Sequence, residues 1–185
     1  RIKAIWIMGT NPAVSMPDAA AVEAAIAACP FVVVSDVVAE TDTLRHAHVK
    51  LPALGWGEKD GTVTNSERRV SRQRAFMPAP GDAKADWWQL AQVGQRMGFT
   101  EAFEWRVVSE VFSEYAALTA YENDEANESR RDLHLGAVAG LKEEAYDALP
   151  PFQWPQRGAF EPEQQTRFFA NGQFYTPSRR AQFVA

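Results

Sequence analysis

The sequence predicts an α/β fold: a Rossmann-like, mostly parallel sheet with flanking helices, followed by a mainly helical extension and a C-terminal hairpin. Apolar runs at residues 3–8 and 31–36 have strand character and enclose a helical pattern. Such a strand-helix-strand unit normally pairs its strands in parallel. Both runs lead into polar residues, and the carboxyl ends of parallel strands line the ligand crevice of an open sheet. The polar residues expected on this rim are Thr10, Asn11, Ser35 and Asp36.

The elements that complete the sheet follow in order along the chain. A helix is predicted over residues 15–28, because Ser15 can cap it and Pro17 suits its first turn. Pro30 ends this helix before the second strand. A short helix at residues 41–47 and a third strand at 48–51 extend the pattern.

Regular patterns weaken between residues 52 and 80, where the sequence is rich in turns. Short extended pieces are predicted at 62–64 and 69–74. A loop region of this length is usually functional or contacts another domain. Helices are then predicted at 82–97 and 107–120.

Apolar periodicity assigns a buried face to each of these two helices. In the first helix the inward residues are predicted to be Trp87, Leu90, Ala91 and Val93. In the second they are predicted to be Val108, Val111, Phe112 and Leu118.

The last third of the chain carries weaker patterns. Residues 123–131 are polar and predict a mobile loop, and residues 133–149 have a weak helical pattern. Asn171-Gly172 between two aromatic runs predicts a hairpin over 167–184. We therefore divide the chain into an α/β portion, 1–100, and a helical extension with a hairpin, 101–185.

Composition restricts the class of protein. The 185 residues are 46% hydrophobic, enough for one core with appended elements. The net charge of −5 does not favour nucleic acid or an anionic membrane surface as a partner. A single cysteine, Cys29, fits a reducing compartment. No apolar run approaches the roughly 20 residues that span a bilayer, and no signal-peptide pattern is evident, so we expect a soluble cytoplasmic protein. Because the sequence starts at Arg1 almost directly on a strand and stops at Ala185 just after a strand-like run, we also expect it to be a fragment of a longer protein.

Signatures of catalysis are not found. The first strand is not followed by G-x-G-x-x-G, and the chain contains no P-loop motif. His46 and His48 have no evident third partner for a metal. Cys29 has the character of a small core residue. We predict neither catalytic residues nor metal ligands in this chain.

Binding residues are better supported. The Asp36 carboxylate can accept hydrogen bonds from guanine N1 and N2 or from a ribose diol, but it can equally cap the following turn. Lys59 can contact a phosphate or form a surface ion pair. Asp86 can cap its helix or bind a ligand. Four arginines are expected to form interdomain salt bridges: Arg68, Arg69, Arg72 and Arg74.

Together these patterns resemble the molybdopterin oxidoreductases of the dimethyl-sulfoxide-reductase superfamily. The most specific run is WGEKDGTVTNSERR at residues 56–69. Further runs that carry the resemblance are TNP at 10–12, VSD at 34–36, LP at 51–52, AKADW at 83–87, FQWP at 152–155 and FYTPS at 174–178. YEND at 121–124 and RDLH at 131–134 are most similar to the large subunit of assimilatory nitrate reductases. Formate dehydrogenases share most of the other runs.

The resemblance implies a cofactor. Such enzymes hold molybdenum between two molybdopterin guanine dinucleotides, and an α/β domain like residues 1–100 binds one of them. Five residues match dinucleotide-contacting positions of the family: Asn11, Ser35, Asp36, Lys59 and Asp86. The family's iron-sulfur cysteines and metal ligand lie upstream, and a C-terminal barrel follows. The run RHAHVK at 45–50 departs from the family pattern.

Two functions of different classes are consistent with the resemblance. The first is a cofactor-binding fragment of an enzyme that reduces nitrate to nitrite, or of a related formate dehydrogenase. Its partners would be the remaining domains and an electron-donor protein or subunit. The second is a non-catalytic interaction module, as in the related subunit of respiratory complex I. The presence of all five rim residues favours the enzyme.

Overall fold

The computed structural model describes residues 2–124, 126–127 and 130–184 and is mixed α/β. Its strands are β1 Ala4–Met8, β2 Phe31–Asp36, β3 Val49–Pro52, β4 Gly61–Thr64, β5 Arg69–Gln73 and β6 Phe152–Gln153. Its α-helices are α1 Pro12–Ser15, α2 Ala19–Ala27, α3 Asp86–Arg96, α4 Val108–Ala120 and α5 Glu143–Asp147. Short 3-10 helices lie at Leu44–His46, Trp56–Glu58 and Gly136–Val138.

The chain forms two compact units. The first contains Arg1–Gly61 and Gln73–Val111, and the second contains Thr62–Arg72 and Phe112–Ala185. The first unit holds all five predicted rim residues. The division predicted at residue 100 stays a prediction.

A parallel sheet in the order β1-β2-β3 forms the centre of the first unit, which confirms the predicted fold class. Met8 pairs with Ser35 and Asp36 pairs with Pro52, so the carboxyl ends of the three strands are adjacent. Alternate residues of β2 are fully buried, because this strand has a neighbour on each side and packs against α2. The core of this unit consists of Ile7, Ile26, Cys29, Val32, Val34 and Leu44.

The single helix predicted over 15–28 is two helices in the structure. Ser15 ends α1 instead of capping a helix, and Asp18 adopts a left-handed conformation (φ 57°) before α2. The break follows from Pro17, because a proline ring disfavours helical geometry in the residue before it. Met16 is accordingly extended, with ψ 149°.

The buried face of α3 differs from the prediction. Ala91 is buried as predicted and Trp87 is half-buried, but Leu90 and Val93 are exposed. The other buried residues of the helix are Gln89 and Gly94. Gly94 permits this packing, because a Cβ at its position would lie 2.5 Å from the Phe103 ring. The helix also begins at Asp86 and not at residue 82, because Lys84 forms a bridge with Ala53.

The prediction for α4 was correct for Phe112, which is buried, and wrong for Leu118, which is 61% exposed. Ser109, Ala116 and Thr119 are buried instead. Thr119 satisfies its hydroxyl by donating to Ala116 O (2.7 Å) and accepting from Leu135 N (2.8 Å). An apolar pattern cannot identify such a polar residue as buried, because its burial depends on partners distant in sequence.

The second unit contains a sheet in the order β4-β5-β6, with β5 antiparallel to β6. Three of the four arginines contact groups within this unit, and the interdomain salt bridges expected from the sequence stay a prediction. Arg68 lies 3.7 Å above the Phe168 ring, Arg69 pairs with Glu67 at 2.7 Å, and Arg72 pairs with Asp147 at 2.8 Å.

The predicted helix over 133–149 is reduced to the 3-10 helix and α5. A glycine turn lies between them, with Gly140 at φ +75°. The loop predicted at 123–131 begins on Asn123, which is fully buried and donates to Thr119 O and Leu133 O. Residues 125, 128 and 129 of this loop lie outside the described part of the chain.

The chain reverses direction at Asn171-Gly172, as predicted. Gly172 has φ +71°, and its N–H donates to Phe169 O at 2.9 Å. Paired strands do not extend from this turn within the described residues, so antiparallel pairing is confined to the β4-β5-β6 sheet. Stacking of Phe169 on Phe174, with ring centroids 4.8 Å apart, holds the turn instead.

Burial lowers the pKa of His134 in the second unit, and the charges of Arg157 and Arg131 lower it further, against an opposing hydrogen bond to Gln156 O. The folded chain therefore binds fewer protons than the unfolded chain below the ordinary histidine pKa of about 6.5. We predict that the free energy of unfolding falls as the pH drops below about 6.5 and levels off at the lower folded pKa.

Denaturant unfolding between pH 7.5 and 5.5 measures this slope. His134→Asn is the control, because asparagine does not titrate and offers both an acceptor for Gly136 N and a donor for Gln156 O, the two groups that lie 3.1 Å and 3.2 Å from His134 Nδ1. In the variant, the free energy of unfolding should no longer show the part of the pH dependence that His134 contributes. An equal slope in both proteins would contradict the prediction.

Candidate functional site

The carboxyl ends of β1, β2 and β3 form one polar rim in the first unit. Backbone hydrogen bonds continue past the strands: Gly9 N donates to Ser35 O and Ala53 N donates to Asp36 O, each at 3.0 Å. Gly9 adopts φ +60°, which lets the chain turn away from β1 without steric cost. The strand ends are thus held at a fixed spacing.

Asn11 lies on this rim, where it precedes α1. Its Oδ1 accepts from Thr43 N at 3.2 Å and from Thr43 Oγ1 at 2.6 Å. The backbone donor identifies Oδ1 as the oxygen. The Nδ2 group has no partner among the described residues, so its two hydrogens are available to an acceptor on a ligand.

Ser35 is fully buried, and its hydroxyl is used inside the protein. It accepts from Trp6 Nε1 at 2.8 Å and donates to Gln89 Oε1 at 2.7 Å. The predicted cofactor contact of Ser35 stays a prediction. In this geometry the hydroxyl connects β2 to β1 and to α3.

Asp36 ends β2 and is half-buried. Its Oδ1 accepts from Val37 N at 2.7 Å and from Val38 N at 3.3 Å, so this oxygen caps the turn. Its Oδ2 has no partner in the described part of the chain. The two roles considered from the sequence are therefore compatible, because each can use a different oxygen of one carboxylate.

Lys59 and Asp86 form an ion pair, with 3.6 Å between Nζ and Oδ2. Asp86 is the first residue of α3, while Lys59 follows the 3-10 helix at 56–58. A Glu58 carboxylate oxygen accepts from Gly55 N at 2.7 Å and closes that turn. The Oδ1 atom of Asp86 is buried without a hydrogen-bond partner, which is costly unless a ligand supplies a donor.

A cavity of about 480 Å³ opens beside Asp36. Its walls come from the ends of β2 and β3 and from residues 80–83, and it includes Lys50 and Asp82. This volume is in the range of ligand pockets. A second cavity of about 420 Å³ lies between β1 and α2, but it is lined by apolar residues and Cys29, so it offers no charged side chain to orient a dinucleotide.

Sequence reasoning missed the residues that connect the rim: Trp6, Thr43 and Gln89. Gln89 is the central one, because its Nε2 donates to Pro52 O and to Lys84 O, each at 3.1 Å. One signal was available in the sequence. Gln89 lies three residues after Asp86, so the two share a helix face.

Asn11, Asp36 and Asp86 share one arrangement: one polar atom of each side chain is held by the protein, and the other has no partner among the described residues. The Ser35 hydroxyl, by contrast, is fully used inside the protein. The open groups are Asn11 Nδ2, Asp36 Oδ2 and Asp86 Oδ1, with Lys59 beside the last. Two carboxylates, an amide and an ammonium can bind a ligand that has amino donors and phosphate oxygens. In the ranges that the structure describes, no group of three or more His, Cys, Asp and Glu side chains could hold a metal, and no helix could cross a membrane.

Comparison with known proteins identifies the family. The family model for molybdopterin oxidoreductases matches residues 1–96, which include the sheet, the rim and α3. The chain belongs to this family. Membership implies a molybdenum cofactor carried by molybdopterin.

Within the family, the chain is similar to individual nitrate reductases and formate dehydrogenases. A nitrate reductase of Klebsiella oxytoca is 60% identical over 154 residues, which is 83% of this chain and 17% of that protein. A nitrate reductase of Shewanella frigidimarina is 49% identical over 185 residues, 100% of this chain and 19% of that protein. The F420-dependent formate dehydrogenase subunit alpha of Methanocaldococcus jannaschii is 42% identical over 118 residues, 64% of this chain and 17% of that protein. The chain thus spans less than a fifth of the length of these relatives.

The polar residues present fit the organic part of a molybdopterin cofactor. The buried, unpartnered Oδ1 of Asp86 and the open Oδ2 of Asp36 are acceptors for amino or hydroxyl donors. Lys59 and the open amide of Asn11 are donors for phosphate or ribose oxygens. These side chains include no thiolate or imidazole that could bind a metal, so they suit the organic part of the cofactor and not its metal.

We predict that Asp36→Asn leaves the fold intact but weakens guanine nucleotide binding. Asparagine keeps the Oδ1 acceptor for Val37 N, while its Nδ2 replaces the open Oδ2 and faces the donors of guanine. Losing a hydrogen bond to a charged group costs about 1.5 to 3 kcal/mol. NMR titration of the chain with GMP, together with a thermal melt, measures both effects.

Asp36→Ala is the matched control, because it removes both oxygens and should lower the melting temperature as well. Unchanged GMP binding by a stable Asp36→Asn chain would refute a ligand role for this carboxylate.

Proposed function

We propose that this chain is a cofactor-binding segment of a bis-molybdopterin guanine dinucleotide oxidoreductase that reduces nitrate to nitrite in nitrogen assimilation. The observation that carries the proposal is the rim of open polar groups at the strand ends, with Asp36 at its centre. Family membership supports the cofactor class, and the 60% identity to a nitrate reductase supports the reaction.

Four of the five rim residues have a distinct role in ligand binding in this proposal. Asp36 Oδ2 accepts from the amino edge of a guanine, and Asp86 Oδ1 accepts from a base or ribose donor. Lys59 lies against a phosphate, where Asp86 keeps its ammonium oriented. Asn11 donates its open amide to a phosphate or ribose oxygen.

When bound, the cofactor supplies the molybdenum that takes an oxygen atom from nitrate. The chain's own residues bind and orient the dinucleotide, and they make no bond to the substrate. The metal's protein ligand and an iron-sulfur cluster would come from the upstream part of the longer protein. The remaining domains and an electron-donor protein or subunit are the proposed partners, and the proposed location is the cytoplasm.

Formate oxidation is the second candidate, because a formate dehydrogenase subunit is 42% identical over 118 residues, 64% of this chain. The rim cannot distinguish the two reactions, since it contacts the cofactor and not the substrate. The higher identity and greater coverage of the nitrate reductases favour nitrate. A non-catalytic module would have no reason to keep a buried carboxylate oxygen without a partner.

The complete protein that contains this chain tests the proposal. Purified protein should contain molybdenum and release GMP on acid hydrolysis, and it should oxidise reduced viologen with nitrate as acceptor. Formate-dependent dye reduction without nitrate reduction would transfer the assignment to the second candidate. A complete protein with neither molybdenum nor GMP would support the non-catalytic module and overturn the proposal.

We predict that the 185-residue chain by itself reduces no nitrate, because its described residues hold no metal-binding group and its only cysteine is the buried Cys29. A viologen assay of the highly purified chain with added molybdate should remain at background. Turnover above a heat-denatured control would contradict this prediction.

We also predict weak binding of guanine nucleotides by the isolated chain. One side of a cofactor site buries only part of the ligand, and loops at the rim must still be ordered on binding. The dissociation constant for GMP should be on the order of 1 mM, or about 4 kcal/mol. Isothermal calorimetry that gives submicromolar affinity would exclude a partial site.

A further inference from the structure

We propose that Gln89 is a positioning residue that sets the spacing between the Asp36 and Asp86 carboxylates and so makes the rim selective for guanine. This inference rests on the proposed cofactor-binding function. It concerns a residue that touches no ligand itself and acts through the groups that do.

Gln89 lies between three separate segments of the first unit and contacts each of them. Its side chain is only 5% exposed, and all of its strong hydrogen-bonding groups are used. Oε1 accepts from Ser35 Oγ at 2.7 Å, next to Asp36 in β2. Nε2 donates to Pro52 O at the end of β3 and to Lys84 O before α3, each at 3.1 Å.

The contacts of Gln89 lie next to both carboxylates, Asp36 and Asp86. Asp36 follows Ser35 directly and pairs with Pro52, so Gln89 contacts the immediate neighbours of Asp36 in both strands. Asp86 lies three residues before Gln89 in α3, on the same face of the helix. One amide therefore joins the backbone that carries Asp36 to the helix that carries Asp86.

The backbone carbonyls that Gln89 contacts do not depend on it for their hydrogen bonds. Both carbonyls that Gln89 contacts also have backbone partners: Pro52 O accepts from Lys84 N at 3.1 Å, and Lys84 O accepts from Leu54 N at 3.2 Å. Removing the amide thus leaves these carbonyls satisfied. What it removes is the acceptor of the Ser35 hydroxyl, and with it the hydrogen bond that links α3 to β2. This link sets the spacing of the two carboxylates.

Selectivity for guanine is the binding property that depends most on the spacing of the two carboxylates. The amino edge of guanine presents two adjacent donors, so acceptors on the protein must lie at a matching spacing, whereas a phosphate contact tolerates small shifts. Adenine lacks this pair of donors. The ratio of GMP affinity to AMP affinity consequently reports the geometry of the carboxylates.

The experiment measures binding of GMP and AMP to the 185-residue chain by NMR titration, in which the dispersed signals of folded molecules can be followed separately. Gln89→Met keeps the length of the side chain and removes its hydrogen bonds. We expect the GMP-to-AMP affinity ratio to fall about tenfold, comparable to the loss of one well-formed hydrogen bond. AMP binding should remain unchanged.

Ser35→Ala is a second variant, because it breaks the same Ser35–Gln89 hydrogen bond from the other end. It should lower the ratio in the same direction. Gln92→Met is the matched control: it is the same substitution one turn along α3, where the Gln92 side chain contacts Arg96. The control should keep the ratio of the unmodified chain.

Three results would overturn the inference and can be told apart. If the unmodified chain prefers GMP and a folded Gln89→Met or Ser35→Ala chain keeps that preference, Gln89 has no positioning role while the proposed function stands. If the unmodified chain shows no preference for GMP, both the positioning role and the guanine site fail. An equal loss in Gln92→Met would also refute a specific role for Gln89.

Discussion

A buried polar side chain must find its hydrogen-bond partners inside the protein, and the first unit depends on this constraint at Gln89. Leaving such a group unpaired costs about 1 to 3 kcal/mol, a sizeable share of the stability of a small domain. The amide avoids this cost only when β2, β3 and the segment before α3 are all in place. The hydrogen bonds of one side chain therefore couple the sheet to the helix that carries Asp86.

The same constraint explains how the rim combines rigidity with open binding groups. Asn11 and Asp36 each use one polar atom to hold the local backbone and leave the other free. A side chain fixed in this way loses little further conformational freedom when a ligand binds, which lowers the cost of binding. The Lys59–Asp86 ion pair adds charge of both signs at the edge of the site, and its partial exposure means that solvent screens it.

The second unit is stabilised by different contacts. Arg72 lies over the Tyr146 ring at 3.9 Å, and Arg68 lies over the Phe168 and Trp154 rings. A planar guanidinium suits such stacking because it is weakly hydrated and keeps its charge. The run at residues 56–69 that carries the strongest family resemblance thus contributes to both units: Lys59 to the rim of the first and Arg68 to the aromatic packing of the second.

The sequence by itself determined the strand-helix-strand unit, the parallel sheet and the position of Asn11, Ser35 and Asp36 after the strands, because apolar runs that lead into polar residues are local patterns. Lys59 and Asp86 were indicated only by the family resemblance, and the ligand contacts of all five residues stay predictions. It also predicted the turn at Asn171-Gly172, where glycine permits a positive φ. It did not predict the break at Met16, the burial of Gln89 and Thr119, or the exposure of Leu118. Only the tertiary structure decided these features, since a polar residue can be buried only if groups distant in sequence supply its hydrogen bonds. The division of roles within the Asp36 carboxylate has the same origin: one oxygen is held by its own turn, and the other is left open by the packing around it.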